Sequence, residues 1–244
     1  MSTNPHDGFD LVIMDKVDST MAEAARIAPH IKRATWIMAH EQTAARGRAG
    51  RAWANPLGNF SATFVYRPEA TALQAAQRSF MAANALYQTL ALHVDPSKLS
   101  LKWPNDVLLS GGKVAGILLE ASGGAKVDWL AIGIGVNLAE APEVTDAAFP
   151  PVALSKFCTA PDPEDFLRDL ASAFATQESK LSALGFARIR RDWLGQAARL
   201  GEVITARTSR DSFEGTFRDV DDEGNLVLET PKGTVTIAAA DVYF

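Results

Sequence analysis

Residues 101–120 read Leu-Lys-Trp-Pro-Asn-Asp-Val-Leu-Leu-Ser-Gly-Gly-Lys-Val-Ala-Gly-Ile-Leu-Leu-Glu, a stretch that leaves the chain few choices. Two short apolar runs, 107–109 and 114–119, flank Ser110-Gly111-Gly112, the pattern of two strands joined by a tight hairpin turn. Lys102, Asn105 and Asp106 crowd together just before the first strand, with Pro104 stiffening the chain between them. Lys113 opens the second strand and Gly116 interrupts it. A glycine inside an apolar strand marks a place where another group approaches the backbone closely. Singly, each residue suits a core hairpin with charged ends. Together they form a polar set mounted on one rigid element.

Residues 41–53 read Glu-Gln-Thr-Ala-Ala-Arg-Gly-Arg-Ala-Gly-Arg-Ala-Trp. Arg46, Arg48 and Arg51 sit among small residues with no acid between them, in a chain of net charge -5. Gly47 and Gly50 make a regular helix costly here and let backbone amides come near a ligand. Guanidinium groups match phosphate and carboxylate oxygens in paired hydrogen bonds, so this loop suits an anion. Taken alone it suits a solvated basic surface equally well.

The remaining pattern predicts alternating strands and helices. Strands are expected at 9–14, 35–40, 60–67, 99–103, 107–109, 114–121 and 127–136. Thr20-Met21-Ala22-Glu23 has capping-box spacing, predicting a helix to about Ile27. Leu73, Ala76, Phe80, Ala83, Tyr87, Leu90 and Val94 recur at helical spacing. Asp162-Pro163-Glu164-Asp165 starts a further helix that turns Phe166, Leu170, Phe174 and Leu181 inward, and a shorter one follows at 186–194. Beyond Gly195, short strand candidates at 202–207, 213–219, 225–229 and 234–238 alternate with turn sequences, which suits a small β-barrel.

With 244 residues, 47% of them hydrophobic, the chain can bury a sizeable core. No apolar run reaches the roughly 18 residues of a membrane helix, and the N-terminus lacks a basic-then-apolar signal, so a cytoplasmic protein is the simplest expectation. The single cysteine, Cys158, excludes an intrachain disulfide and reads as a packed thiol. His6, His30, His40 and His93 show no ligand-like spacing, which speaks against zinc. Gly133-Ile134-Gly135 lacks the rest of a dinucleotide fingerprint.

In combination these motifs resemble the biotin–protein ligase family. That family carries a Gly-Arg-Gly-Arg-x-Gly-Arg-x-Trp loop, then Lys-Trp-Pro-Asn-Asp, then Lys-x-Ala-Gly-Ile-Leu, then a Gly-x-Gly-x-Asn strand end. Here they are Arg46-Gly47-Arg48-Ala49-Gly50-Arg51-Ala52-Trp53, Lys102-Trp103-Pro104-Asn105-Asp106, Lys113-Val114-Ala115-Gly116-Ile117-Leu118 and Gly133-Ile134-Gly135-Val136-Asn137, in the same order. Asp18-Ser19-Thr20 fits the family's upstream Asp-Ser-Thr element. Two departures stand out: Ala45 replaces the loop's first glycine, and Met21 stands where asparagine is frequent.

The resemblance implies an α+β fold, a mixed-sheet catalytic domain of the biotin/lipoate ligase type with helices on one side (1–195) and a small C-terminal Src homology 3-like β-barrel (196–244). It implies activation of biotin by ATP to biotinyl-5′-AMP, then transfer to a lysine of a biotin carboxyl carrier domain of the acetyl-CoA carboxylase type. Lys113, Arg48 and Asp106 would be catalytic. Ser19, Thr20, Gln42, Arg46, Gly47, Arg48, Lys113 and Gly116 would bind biotin. Arg48, Arg51, Trp53, Lys102, Asn105 and Asn137 would bind ATP. Asp106 is also the candidate Mg²⁺ ligand, although a strand-end cap or a role orienting the incoming amine suits it equally. No tightly bound prosthetic group is implied.

Other readings stay open. A lipoate–protein ligase or octanoyltransferase shares the broad fold. A biotinyl-AMP-dependent repressor would need the DNA-binding domain of longer family members, for which eight residues before the first strand leave no room, so no sequence-specific DNA binding is expected. A noncatalytic biotin-binding module would not need Lys113 with three arginines. Monomer and homodimer are both compatible with the sequence.

Overall fold

The computed structural model describes residues 8–143, 149–238 and 240–244; His6 falls outside them. A seven-stranded mixed sheet is built from β1 (Asp10–Val17), β2 (Thr35–Gln42), β3 (Phe60–Tyr66), β4 (Leu99–Lys102), β5 (Asp106–Leu109), β6 (Gly112–Gly123) and β7 (Val127–Val136). Their spatial order is β1-β2-β3-β7-β6-β5-β4. Among the described strands only β1 and β2 pair in parallel, joined through helix α1 (Thr20–Ile27). The hairpin forms as its turn sequence requires: Leu109 pairs with Gly112, and Ser110 and Gly111 both take positive φ, 49° and 84°.

Helices α2 (Ala72–Leu90), α3 (Pro163–Leu184) and α4 (Phe186–Leu194) complete this part. The Asp162 carboxylate accepts from the Glu164 amide at 2.8 Å, capping α3 as its sequence predicts. Phe166, Leu170 and Phe174 are buried, with Leu181 packed at the edge. Helix α2 differs from expectation at both ends. Its first turn buries Ala75 and leaves Leu73 44% exposed, and it stops at Leu90, short of Val94. Its cap, Thr71 with Gln74 in a reciprocal capping box, escaped the sequence reading.

Strand alternation assigns each residue a face. On β7, Leu130, Ile132, Ile134 and Val136 point into the main core with α2 and α3. Ala131 joins a second, smaller cluster with Met21, Ala24, Ala28, Ile37 and Val65. The expectation of helices on one side therefore holds for α2, α3 and α4. Helix α1 is the exception and covers part of the opposite face, because Met21, Ala24 and Ala28 form its only buried apolar stripe.

Strands β8 (Val203–Arg207), β9 (Ser212–Val220), β10 (Leu226–Thr230), β11 (Gly233–Ile237) and β12 (Asp241–Tyr243) form a five-stranded antiparallel sheet, ordered β11-β10-β9-β8-β12. This is the Src homology 3-like barrel, with Ile204, Phe217, Leu226, Leu228 and Val242 inside. The sequence reading lacked β12. The barrel is tied to the larger part: Trp103 Nε1 donates to Gly224 O at 3.1 Å, and Arg190 Nη1 donates to Val220 O at 2.9 Å. The connector bonds along β4, with Leu101 N donating to Gln196 O and Ala198 N donating to Leu101 O.

Candidate active site

The sheet face opposite α2–α4 carries small residues where a core face would carry large ones. Gly133 and Gly135 on β7 alternate with buried isoleucines, and Gly116 on β6 pairs with Gly135. The Gly-x-Gly sequence is thus strand alternation between a filled face and a vacant one. Two side chains lie over this floor. A Cβ on Gly135 would stand 2.6 Å from Trp53 Cε2, one on Gly116 3.3 Å from Trp53 Cζ3, and one on Gly133 2.8 Å from Met21 Sδ.

Trp53 ends the arginine loop, which folds back on itself. Gly47 N donates to Arg51 O at 2.7 Å, Trp53 N to Ala45 O at 3.0 Å, and Arg48–Gly50 forms one 3₁₀ turn. Gly50 takes φ +71°, which a side chain would strain, and Ala49 sits nearby at φ 54°. Ala45 lies outside the left-handed region, so its β-carbon costs the loop nothing there. The three guanidinium groups diverge. Arg46 pairs with Glu120 at 3.0 Å and Arg51 with Asp241 at 2.5 Å, while Arg48 donates to Asn105 Oδ1 at 3.3 Å.

The hairpin brings two lysines to one carboxylate. Lys102 and Asp106 are partners across β4 and β5, with Nζ 3.6 Å from Asp106 Oδ2. Lys113 Nζ lies 2.6 Å from Asp106 Oδ1 and 5.6 Å from the Trp53 ring centroid. Lys102 is buried, and burial pushes its ammonium below the ordinary lysine value; the nearby Lys113 charge pulls the same way, and Asp106 opposes both. Asn105 reaches across to donate to Ile117 O, which fixes the bend between the strands.

Helix α1 supplies the other wall. Arg26 grips Asp18 through both oxygens, at 2.7 and 2.9 Å, and the Ser19 amide donates to Asp18 Oδ1. This contact, with Arg26 first and the amide second, holds the Asp18 carboxyl well below the usual carboxylate range. The predicted capping box does not form: Ser19 is the N-cap without a side-chain bond. Thr20 is drawn inward instead. Gln42 Oε1 accepts from its amide at 2.8 Å and its hydroxyl at 3.2 Å, and Thr63 Oγ1 donates to that hydroxyl at 2.9 Å. Buried partners outcompete a solvated cap, and among the described residues the Gln42 amide nitrogen and the Ser19 hydroxyl make no hydrogen bond.

A cavity of about 440 Å³ lies between these elements. Its lining includes every residue given a binding or catalytic role from the sequence: Ser19, Thr20, Gln42, Arg46, Gly47, Arg48, Arg51, Trp53, Lys102, Asn105, Asp106, Lys113, Gly116 and Asn137. It also includes Met21, Ser61, Leu118 and Asp241, which sequence reasoning did not select. Met21 had a signal in its departure from the family pattern. Asp241 had none, since nothing local marks a barrel residue that reaches a loop 190 positions earlier. Both Asp106 oxygens face ammonium groups, and among the described residues there is no group of three His, Cys, Asp or Glu that could hold a metal ion. Cys158 lies outside the cavity lining, and burial pushes its thiol up.

Fold and cavity define a class: a biotin/lipoate ligase-type catalytic sheet carrying a small C-terminal barrel. Residues 14–137 match the Biotin/lipoate A/B protein ligase family, and residues 200–244 match the Biotin protein ligase C terminal domain. The chain is 52% identical over 238 residues to a biotin–[acetyl-CoA-carboxylase] ligase of Paracoccus denitrificans, covering 95% of this chain and 99% of that one. It is 30% identical over 241 residues to the bifunctional ligase/repressor BirA of Bacillus subtilis, covering 96% and 74%. The solved biotin protein ligase of Aquifex aeolicus, in complex with biotin and ATP, shares the fold with TM-score 0.80 at 23% identity, over 95% and 97% of the two chains. This chain belongs to the biotin–protein ligase family. No helix among the described residues is long and apolar enough to cross a membrane.

Proposed function

We propose that this protein is a biotin–[acetyl-CoA-carboxylase]-type ligase that works in two steps. A biotin carboxylate oxygen bonds to the α-phosphorus of ATP as the α–β phosphoanhydride bond breaks, giving biotinyl-5′-AMP and pyrophosphate. A neutral lysine amine of a carboxyl carrier domain then attacks the acyl carbon, AMP leaves, and the amine proton passes to solvent. Magnesium accompanying ATP would offset phosphate charge beside Arg48, Lys102 and Lys113. DNA binding is no part of this reading. Residues 1–195 would carry the chemistry and 196–244 the barrel.

The first step brings an anion to a polyanion. Two like charges about 4 Å apart repel by roughly 4 kcal/mol at an effective dielectric near 20. The observation that carries the reading is the convergence of Arg48, Lys102 and Lys113 on one sheltered cavity whose opposite wall offers Ser19 and Gln42. Such fixed charge supplies the largest share of catalysis in comparable sites. Lys113 would bridge the carboxylate and α-phosphate, Arg48 and Arg51 would hold phosphates, and Arg46 would order the loop near the carboxylate. Ser19, Thr20 and Gln42, with the backbone at Gly47 and Gly116, would meet the ureido ring. Trp53 and Asn137 would shape the adenosine side.

Mass spectrometry of a carrier domain incubated with enzyme, ATP and either biotin or lipoate tests this. A biotin adduct on one lysine is expected. Folded enzyme giving no adduct, or a lipoyl adduct in preference, defeats the proposal.

A further inference from the structure

The cations around the cavity are held in two different ways. Arg46 and Arg51 meet their carboxylates at exposed positions, where solvent screens them. Lys102 and Lys113 share a single carboxylate that is 13% exposed, and Lys102 itself is 8% exposed beneath the Phe149 ring, 4.6 Å from its centroid. The main chain fixes all three. Asp106 is the partner of Lys102 on one side and of Gly116 on the other. Lys113 is pinned by Pro150 O, which accepts from its amide, and by Val152 N, which donates to its carbonyl.

We propose that Asp106 is a positioning residue, holding Lys102 and Lys113 side by side as one doubly charged clamp for the acyl carboxylate and the α-phosphate, and that it does not ligate magnesium. The proposal rests on reading the cavity as the ATP-dependent activation site. A dication at Asp106 would compete with Lys113, 2.6 Å from Oδ1, and with Lys102, 3.6 Å from Oδ2. The geometry serves a different end. Two ammonium groups repel each other, and a buried one without a counter-charge sheds its proton. Asp106 offsets both effects, and the triad keeps a net positive charge facing the cavity.

The test is Asp106→Asn, which keeps the shape and removes the charge. Magnesium titrated into the ligand-free native protein and the variant, followed by calorimetry, should show no Asp106-dependent binding. Pyrophosphate release in the first step should fall by about a hundredfold in kcat, with half-saturation by magnesium unchanged within about twofold. A crystal structure of the variant should show Lys113 Nζ withdrawn from Lys102. If the single variant does not fold, Asp106→Asn combined with Lys102→Met leaves no unpaired buried ammonium and should show the same lowered kcat and unchanged magnesium requirement. The proposal is overturned if native protein binds magnesium and the variant does not, if the magnesium requirement rises with the loss of rate, or if the variant keeps the native rate. A native protein that releases no pyrophosphate would count against the ligase reading instead.

Discussion

The indole of Trp53 occupies the space that a side chain at residue 135 would need, since a Cβ on Gly135 would lie 2.6 Å from Trp53 Cε2. The rigid sheet and the arginine loop are therefore keyed together at one glycine. Gly135→Ala should push the indole off the floor, with an overpacking cost of about 1–3 kcal/mol if the loop stays closed. The expected result is a KM for ATP raised severalfold more than the KM for biotin. Gly116→Ala, where the clearance is 3.3 Å, should be milder. Steady-state kinetics on both variants will show it; equal effects on the two substrates would remove Trp53 from the nucleotide side.

Lys113→Ala should abolish adenylate formation while leaving the fold in place. The side chain is 30% exposed, and Asp106 keeps Lys102 as a partner after truncation. Thermal melting should shift little, because partly exposed changes of this kind cost about 0.5 kcal/mol. Normal turnover would show that Lys113 is not the bridging cation.

Arg48 has a single weak contact to Asn105, 3.3 Å away, whereas its neighbours in the loop are held by carboxylates. Among the described residues it has no carboxylate partner, so it can turn to the ligand without breaking an ion pair there. Arg48→Gly should speed escape of biotinyl-AMP by roughly ten- to a hundredfold, since one or two charge-assisted hydrogen bonds are lost and each 1.4 kcal/mol is a factor of ten. The released acyl-adenylate would label lysines on bystander proteins. Dissociation rates measured for parent and variant decide the matter, and matching rates would assign retention elsewhere in the loop.

The glycines and alanines of residues 44–53 offer little apolar area to hold the loop down, so it should open readily without ligand. The structure shows it closed on itself but braced to the rest of the protein by two exposed ion pairs, Arg46–Glu120 and Arg51–Asp241. Exposed pairs contribute about 0–1 kcal/mol each, so opening stays cheap. Hydrogen exchange across residues 44–53 should slow when biotinyl-AMP binds, and in the ligand-free state it should quicken in Asp241→Asn and at high salt. Equal protection in all four conditions would contradict the bracing.

Lys102 sets a pH limit. Burial lowers its pKa first, Lys113 adds to this, and Asp106 and Asp241 counter it. The net shift is downward, so the ammonium form is present below that lowered value and is lost as pH rises through it, before an ordinary lysine would titrate. Adenylate formation should therefore decline on the alkaline side, and Lys102→Arg should move that decline to higher pH. A pH–rate profile unchanged by the substitution would mean that the charge on Lys102 is not used.

Much of this protein is written in short-range pattern. The 110–111 turn, the Asp162 cap of α3, the Arg48–Gly50 turn and the large–small alternation of β7 each depend on residues within a few positions, where local sterics and hydrogen bonding decide the backbone. Motif order brought fourteen cavity residues together before any geometry was known. Other features needed the folded sheet. Ser19 and Thr20 look like caps in sequence, but Thr20 turns to Gln42 and Thr63 because strand order puts those side chains beside it. Helix α1 takes the opposite face from the others because that is where Ile37, Val65 and Ala131 leave an apolar strip. Asp241 enters the site only when strands distant in sequence are set side by side, and the pairing of both lysines with Asp106 needs the folded register of β4, β5 and β6. Local preference depends on neighbours along the chain. The charge balance of the site depends on neighbours in space, and only the tertiary structure supplies those.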